Sequence, residues 1–258
     1  MIPAHQPSIF KDLPVKVAAS SLLNGHMSFG PMPGKATIEE VRHNRARWLA
    51  EVGLKLEQTT LLWVTYGENI SYTRIQTVDA TAQGRGMSQP GDGVLADALF
   101  TSTKQLGLFL PLADCGGVVL YNAKNAVLGV VHLGRQATFA NLATKAIEHM
   151  KESYGTHPQD IFVWISPSIS GDSYWLHTFA FASDATWQPF SQKQGEGWLV
   201  DLQGYNIHQL QQAGVPKEQI EHAQIDTAAH ADYPSHYRYK THGEAEKAGR
   251  FAVVAFLQ

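Results

Sequence analysis

The sequence feature that most constrains the fold is a series of strand-sized apolar segments with very short connections between them. Three of these segments follow one another closely, at Leu106–Pro111, Gly117–Tyr121 and Ala126–His132. Strands joined so closely must run antiparallel, because a parallel connection needs a crossover of roughly a dozen residues or more. Helical segments lie between other strands. We therefore expect an α+β fold, a mixed α/β sandwich in which layered mixed or antiparallel sheets are flanked by helices.

The remaining patterns predict three helices, four more strands and two loops. An apolar stripe that follows the capping sequence Thr37-x-x-Glu40 and stops before Gly53 predicts a helix over Ile38–Val52. Two further helices are expected, over Thr138–Ser153 and from about Asp201 to the residue before Gly214. Short β-branched runs predict strands at Leu61–Val64, Ile75–Val78, Ile161–Ile165 and Phe251–Phe256. Glycine and proline predict loops at Phe29–Lys35 and at Gln83–Gly93, the second being either a mobile surface loop or a lid.

Composition narrows the classes of partner and compartment. No linker-like segment interrupts residues 1–258, so a single domain is expected. The net charge of −3 provides no basic surface for nucleic acid or for an anionic membrane. No apolar run approaches the ~20 residues of a membrane span. A single cysteine, Cys115, and an N-terminus without a signal-peptide pattern predict a cytoplasmic protein.

The apolar segments on either side of Asn122-Ala123-Lys124-Asn125 predict a hairpin that brings Cys115 to His132. If the turn pairs Tyr121 with Ala126, Cys115 falls directly opposite His132 on the same face of the sheet. A thiol and an imidazole so placed could share a metal ion or form a nucleophile–base pair. The alternative interpretation is a buried cysteine that acts as a small hydrophobe beside a structural histidine. A one-residue change of register would place the two side chains on opposite faces.

Several short motifs occur in an order that resembles a known family. They are A-D-A-L-x-T at residues 96–101, L-A-D-C at residues 112–115, H-x-G at residues 132–134, Asn44-Arg45, Ser166–Ile169, Tyr174, Tyr237-Arg238 and Gly249-Arg250. Each motif is short, but the ordered set resembles the laccase-domain proteins, also called the YfiH or multicopper polyphenol oxidase-like family. That resemblance implies a layered α/β sandwich. It also implies zinc-dependent phosphorolysis of adenosine or inosine, with adenosine deamination, and an older assignment is copper-dependent phenol oxidation.

The resemblance also implies a metal site, which this sequence alters. Two of the three family ligands correspond to Cys115 and His132, whereas the first, a histidine in Q-V-H-G, corresponds to Tyr66. A neutral phenol is a poor zinc ligand, and catalytic zinc usually has three protein ligands. The family's H-A-G-W-R-G element reads His132-Leu133-Gly134-Arg135-Gln136-Ala137, so the tryptophan is missing and the arginine comes one position early. Zinc, with copper as a second possibility, is therefore expected at an altered site.

The other candidate residues are assigned from their chemistry and from their place in the motifs. Asp114 is either a general base or a structural hydrogen-bond acceptor. Guanidinium groups suit phosphate, and His26 lies in a loop where the family has polar substrate contacts. The predicted phosphate or substrate contacts are Arg45, Arg135, Arg238, Arg250 and His26, and the two last arginines could equally be surface ion-pair partners. His230, His236 and His242 are interpreted as surface histidines of a polar C-terminal loop.

Three functions follow from these candidates. The preferred one is a metal-dependent purine nucleoside enzyme whose small-molecule substrates are a nucleoside and phosphate. The second is a metal-free hydrolase or deamidase in which Cys115 is the nucleophile and His132 the base. The third is a catalytically degenerate member that binds a ligand without turnover, which the replaced Trp-Arg pair favours.

Overall fold

The computed structural model describes residues 7–30 and 36–258, so residues 31–35 of the predicted Phe29–Lys35 loop lie outside the described residues. Fourteen strands occupy that part of the chain: β1 Val15–Ala19, β2 Thr59–Trp63, β3 Ile75–Thr77, β4 Val94–Leu95, β5 Ala98–Thr101, β6 Gly107–Leu112, β7 Gly116–Asn122, β8 Val127–Leu133, β9 Ile161–Ile165, β10 Trp175–Leu176, β11 Ser191–Gln194, β12 Gly197–Val200, β13 Ile220–His222 and β14 Phe251–Leu257. The α-helices of the same part are α1 Ile38–Val52, α2 Arg135–Phe139, α3 Leu142–Tyr154, α4 Leu202–Gln212 and α5 His236–His242.

Two sheets stacked face to face form the body of the protein. The first has the strand order β1-β14-β6-β2-β4, and the second has the order β13-β9-β7-β8-β5-β3. Alternate side chains of both sheets meet in one apolar core, as Leu110 of β6 and Val119 of β7 do. Helix α1 covers the outer face of the first sheet, and α2, α3 and α4 cover the outer face of the second. The expected α+β sandwich with mixed sheets and flanking helices is confirmed.

A small third sheet lies beside this sandwich. Its strand order is β10-β12-β11, and all its pairs are antiparallel. An aromatic cluster supports it, in which the rings of Trp187 and Tyr205 stack with centroids 3.6 Å apart. Trp175, the first residue of β10, lines one cavity together with His132 of β8.

Helix α1 has the predicted bounds because both of its ends carry local signals. The Thr37 hydroxyl accepts a hydrogen bond from the Glu40 amide at 3.1 Å, and the Glu40 carboxylate accepts one from the Thr37 amide at 2.6 Å. Gly53 ends the helix in the left-handed conformation. The predicted helix that follows Asp201 is also confirmed as α4, with Asp201 as its N-cap.

The predicted helix over Thr138–Ser153 was wrong, because the chain forms two helices there. Asn141 has a φ of 58°, which no continuous right-handed helix contains, and it separates α2 from α3. Asparagine accepts this left-handed conformation more readily than most residues. The apolar face that predicted the helix is nonetheless buried along α3 against the second sheet, as Ile147 and Met150 illustrate.

The polar C-terminal segment predicted as a loop contains the short helix α5, so the predicted loop was wrong at His236 and His242, whereas both residues are exposed as expected. The Ser235 hydroxyl accepts a hydrogen bond from the Arg238 amide at 3.2 Å, and Gly243 ends the helix with a φ of 70°. A single polar turn lacks the apolar periodicity from which longer helices are predicted. The strand β5, which contains most of the A-D-A-L-x-T motif, was missed because it is short and fully buried.

The hairpin of β7 and β8 forms, but its predicted register was wrong. Tyr121 pairs with Leu128 instead of Ala126, and Gly117 pairs with His132. Residues 123–126 form the connection between the two strands. The Asn122 side chain accepts a hydrogen bond from the Asn125 amide at 2.7 Å, which closes the turn one residue later than predicted. A shift of two residues leaves every side chain on its predicted face. Cys115 therefore stays on the face of His132 but lies beyond the last pair of the ladder.

Candidate active site

Cys115 lies where the chain passes from one sheet to the other. Strand β6 belongs to the first sheet and β7 to the second, and residues 113–115 connect them. Asp114 allows this sharp change of direction with a φ of 76°. The motif L-A-D-C thus forms a corner, and its cysteine faces the end of the neighbouring strand β8.

Cys115 and His132 approach each other around Gly134. A Cβ atom built on Gly134 would lie 3.0 Å from the Cys115 Sγ, 2.9 Å from the His132 Cε1 and 3.3 Å from the His132 Nε2. Both donor atoms therefore border one small space that only a glycine leaves open. The convergence predicted from the hairpin is present, although it arises by a diagonal approach instead of direct pairing.

Burial keeps both groups neutral in the protein without a metal. Desolvation raises the pKa of the Cys115 thiol to about 12, and the charge of Asp114 raises it further, while Arg250 and Arg135 act in the opposite direction. Desolvation likewise lowers the pKa of His132 to about 4. The His132 Nδ1 atom is buried and has no hydrogen-bond partner. A thiolate–imidazolium pair is therefore disfavoured here unless an additional cation stabilises the thiolate.

Tyr66 occupies the third position of the site. Its hydroxyl lies 3.3 Å from the His132 Nε2, and the two rings meet edge to face. The residue as a whole is 68% exposed, so its outer ring surface faces solvent while its hydroxyl faces the site. Desolvation of that hydroxyl and the nearby Cys115 raise the pKa of the phenol above its usual value. Tyr66 is thus a neutral hydrogen-bonding group.

An ion pair between a buried carboxylate and a partly exposed guanidinium holds the loop that carries Tyr66. Asp97 is fully buried, and its carboxylate accepts hydrogen bonds from the Arg74 Nε at 2.8 Å and Nη2 at 3.0 Å. The Arg74 Nη1 donates to the Thr65 hydroxyl at 2.9 Å, next to Tyr66. The Asp97 carbonyl also accepts the His132 amide at 2.8 Å. Sequence reasoning missed this role of Asp97, although the motif A-D-A-L-x-T had marked the position.

Asp114 accepts structural hydrogen bonds, which agrees with the alternative interpretation of this residue as a structural acceptor. One carboxylate oxygen accepts the Thr227 hydroxyl at 2.7 Å, and the other accepts the Tyr237 amide at 2.7 Å. Its carbonyl accepts the Ile169 amide at 2.9 Å. Asp114 thus connects the corner at Cys115 to the start of α5. Burial raises the pKa of its carboxyl group, and a catalytic role for Asp114 stays a prediction.

A cavity of about 550 Å³ opens onto this site. Its floor contains Cys115 and His132, and its walls combine aromatic rings with two cationic side chains. The lining includes Tyr66, Arg135, Tyr174, Trp175, Tyr237 and Lys240. Arg135 lies at the start of α2 with an exposed side chain, and its charge acts on both Cys115 and Tyr174. Aromatic walls suit a planar base, and cationic groups suit an anion.

A second cavity of about 590 Å³ lies on the other side of Tyr66 and contains Arg45 and Arg250. Arg45 is 1% exposed, and its guanidinium donates to the carbonyls of Met27, Gly86 and Met87 at 2.9, 2.8 and 3.1 Å. Burial lowers the pKa of Arg45 to about 9. Its observed contacts hold the predicted loop at Gln83–Gly93 against the fold, and an anion contact stays a prediction.

The remaining candidates lie outside the cavity at Cys115. Arg238 forms an ion pair with Glu244, which was the alternative interpretation for it. Arg250 donates to the Gly249 carbonyl at 2.6 Å, and its amide donates to the His26 Nδ1 at 2.9 Å. Its charge nevertheless acts on Cys115, His132 and Tyr66. His26 is mostly buried, and desolvation lowers its pKa to about 4.

The donor set around Gly134 fits a metal ion with two strong ligands and one weak ligand. Thiolate and imidazole are preferred zinc ligands, and the opening beside Gly134 gives both donors access to one point. Tyr66 contributes a neutral phenol. Within residues 7–30 and 36–258 no group of three His, Cys, Asp or Glu side chains could hold a metal. Cys115 and His132 are therefore the residues that would hold a metal ion here, and a bound zinc or copper stays a prediction.

The stacked sheets and the corner cysteine facing a strand-end histidine define a layered α+β protein with a Cys/His site. The chain belongs to the multi-copper polyphenol oxidoreductase laccase family, whose model matches residues 33–258. Two crystal structures share the fold. One is the hypothetical protein YfiH of Bacillus licheniformis, which has a TM-score of 0.82 and 22% identity and covers 95% of this chain and 93% of its own. The other is YlmD of Geobacillus stearothermophilus, which has a TM-score of 0.81 and 21% identity and covers 97% of this chain and 94% of its own.

Curated relatives carry an enzyme name. Purine nucleoside phosphorylase YlmD of Bacillus subtilis is 26% identical over 167 residues, which are 61% of this chain and 59% of that protein. Purine nucleoside phosphorylase of Xylella fastidiosa strain 9a5c is 25% identical over 223 residues, which are 84% of this chain and 78% of that protein. These names agree with the enzyme class that the sequence resemblance implied. None of the helices in the described residues is long and apolar enough to cross a membrane.

Proposed function

We propose that this chain is a metal-dependent purine nucleoside enzyme that cleaves adenosine or inosine with phosphate and can also deaminate adenosine. The observation that carries the proposal is the convergence of Cys115 and His132 on the opening beside Gly134, at the floor of a 550 Å³ cavity. The names of the curated relatives support the substrate class. Zinc is the expected metal, with copper second.

In the proposed reaction, a phosphate oxygen attacks the anomeric carbon of the ribose. The bond from that carbon to the purine nitrogen breaks, and the base leaves with the bonding electron pair and takes up a proton. The products are the free purine and ribose 1-phosphate. Tyr174 and Tyr237 would bind the base, and Arg135 and Lys240 would bind phosphate, because all four residues line this cavity. The neutral phenol of Tyr66 keeps a proton at the cavity wall.

A metal bound by Cys115 and His132 would act as a Lewis acid and would stabilise the deprotonated thiol. The raised pKa of Cys115 favours this proposal over a metal-free cysteine nucleophile, because reactive cysteines have lowered pKa values. The lowered pKa of His132 points the same way, since it makes the imidazole a weak base. The metal-free hydrolase or deamidase is therefore the second candidate.

The test is elemental analysis of untagged protein together with phosphorolysis assays on adenosine and inosine. We expect bound zinc or copper in the wild type and its loss in Cys115→Ala and His132→Ala. Phosphate-dependent release of the base should fall by at least about a hundredfold in both variants. His177→Ala is the matched control, because His177 lines the same cavity but does not border Gly134. Turnover that survives in metal-free protein would contradict the proposal.

A further inference from the structure

Asp226 joins the loop after β9 to the loop that leads into α5. It is half-buried and does not itself line the cavity at Cys115. One of its carboxylate oxygens accepts the amides of Ser170 at 3.3 Å and Ala228 at 2.9 Å. The other accepts the hydroxyls of Ser170 at 2.8 Å and Ser173 at 2.5 Å. Because both serines belong to the loop after β9, the carboxylate fixes that loop to its own.

The hydrogen bonds stabilise Asp226 in its ionised form. Burial raises the pKa of this group, but the bonds from Ser173 and Ser170 outweigh burial and hold its pKa below the usual value. The group is therefore a carboxylate at neutral pH. Hydrogen bonds to an ionised acceptor are roughly twice as strong as neutral ones, so the link through Asp226 is stronger than one between neutral side chains.

The loop after β9 carries one aromatic ring of the cavity wall. Tyr174 directly follows Ser173, and its amide donates to the Ser170 carbonyl at 3.0 Å. The Asp226 carboxylate therefore holds the same turn from which Tyr174 enters the lining of the cavity. The Tyr174 ring meets the Tyr237 ring edge to face, with centroids 5.8 Å apart.

The loop after β13 connects Asp226 to this second tyrosine. Thr227, the next residue, donates its hydroxyl to one Asp114 oxygen at 2.7 Å, and the Tyr237 amide donates to the other at 2.7 Å. Contacts therefore run from Ser173 to Tyr237 by way of the two carboxylates. The spacing of the two tyrosine rings depends on this series of contacts.

We propose that Asp226 is a positioning residue that sets the spacing of Tyr174 and Tyr237 and thereby the affinity of the cavity for a planar base. This inference rests on the proposed function, in which the two tyrosines bind the purine. The hydrogen bonds of Asp226 reach neither Cys115 nor His132. Loss of Asp226 should therefore weaken binding of the base and leave binding of metal and phosphate unchanged.

The spacing is tested without substrate, by nuclear Overhauser contacts between the two rings in protein with isotope-labelled tyrosine. Tyr174→Phe and Tyr237→Phe assign the ring signals. We expect the contact in the wild type, its loss in Asp226→Ala and its return in Asp226→Asn, because asparagine can accept both amides and donate to both hydroxyls. A contact of wild-type strength in Asp226→Ala would overturn the proposal.

Ser173→Ala is a milder variant of the same link. Asp226 keeps its bonds to Ser170 there, and the backbone of Ser168 still pairs with the loop of Asp226. The variant should weaken the ring contact, and a dispersed amide spectrum shows that the chain is folded. Should Asp226→Ala fail to fold, an unchanged ring contact in Ser173→Ala would reject the proposal.

Titration with adenine tests the consequence for binding. The Kd for adenine should rise at least about fivefold in Asp226→Ala and stay near the wild-type value in Asp226→Asn, while metal content and the Kd for inorganic phosphate stay unchanged. Asp79→Ala is the matched control, because Asp79 likewise accepts an amide and a hydroxyl, both of Thr81, and lies outside the cavity. Unchanged adenine affinity in Asp226→Ala would also overturn the proposal. If the wild type binds no adenine, the proposed function fails, and the ring contact still decides whether Asp226 sets the spacing.

Discussion

The candidate active site is assembled from two regions that are held in place differently. His132 lies near the end of β8 within the hydrogen-bonded ladder, and Cys115 directly precedes the first paired residue of β7. Tyr66 lies on a loop between β2 and β3 whose position depends on the ion pair of Arg74 with Asp97. The strand region carries the two proposed metal ligands, and the loop region carries Tyr66, where the family pattern has a histidine. We infer that the loop region can change its chemistry while the sheet stays intact.

Asp97→Asn removes the carboxylate partner of Arg74, which holds the loop that carries Tyr66. We expect this variant to have the largest effect on stability. The variant removes the charge of the buried carboxylate, and Arg74, whose side chain is 21% exposed, loses a charge-assisted hydrogen-bond partner, so we expect a loss of about 1–3 kcal/mol. The backbone bond from Asp97 to His132 remains. Denaturant unfolding measures the loss. Asp160→Asn is the control, because its partner Lys124 is 70% exposed and the pair contributes about 0–1 kcal/mol. Equal losses in both variants would show that the pair of Arg74 with Asp97 does not hold the loop.

His26→Asn tests a residue of another loop, whose imidazole accepts a hydrogen bond from the amide of Arg250, the residue before β14. The folded protein keeps His26 neutral down to its pKa of about 4, whereas in the unfolded chain it takes up a proton near pH 6.5. The unfolded state therefore binds more protons between these values, and stability falls as pH falls from about 6.5 to 4. Asparagine keeps an acceptor for the Arg250 amide but cannot titrate.

Unfolding at pH 7 and pH 5 measures the effect of His26. The wild type should lose about 1–2 kcal/mol more than His26→Asn on passing from pH 7 to pH 5. The exposed His177 provides the control variant His177→Asn, which should behave as the wild type does. If His26→Asn shows the full wild-type pH dependence, the stability of the loop does not depend on a neutral His26.

Sequence patterns predicted the strand region well and the loop region poorly, for physical reasons. A shift of two residues in the β7–β8 register leaves Cys115 and His132 on one face, so an inexact prediction still brought them together. The position of Tyr66 depends on Asp97, which lies far along the chain and whose role only the folded structure reveals. Local signals at both ends predicted α1 correctly, whereas Asn141 interrupts a helix whose apolar pattern is continuous.

Tyr66→His should sharpen the distinction between the two regions by giving the loop a strong ligand. With Cys115 and His132 it would complete three preferred zinc ligands, so zinc affinity should rise at least tenfold, or about 1.4 kcal/mol. Tyr66→Phe is the matched control, and it should leave zinc affinity nearly unchanged because the wild-type phenol is neutral. Competition with a chelator measures both. A large loss of zinc in Tyr66→Phe would instead show that Tyr66 is itself a ligand.

Arg135→Gln tests the strand region beyond its metal ligands and should have the smallest effect. Arg135 follows β8 directly, and its exposed side chain lines the cavity. An exposed cation contributes about 1 kcal/mol to binding an anion, so KM for phosphate should rise about fivefold while stability stays unchanged. Arg47→Gln removes an equal charge from α1, outside both cavities at Tyr66, and should leave KM unchanged. An equal rise in both variants would indicate a general effect of net charge. A rise in KM for Arg135→Gln alone would show that Arg135 contributes to phosphate binding, although it comes one position earlier than the arginine of the family pattern. The strand region would then retain an anion contact, whereas the loop region has Tyr66 in place of the family's histidine.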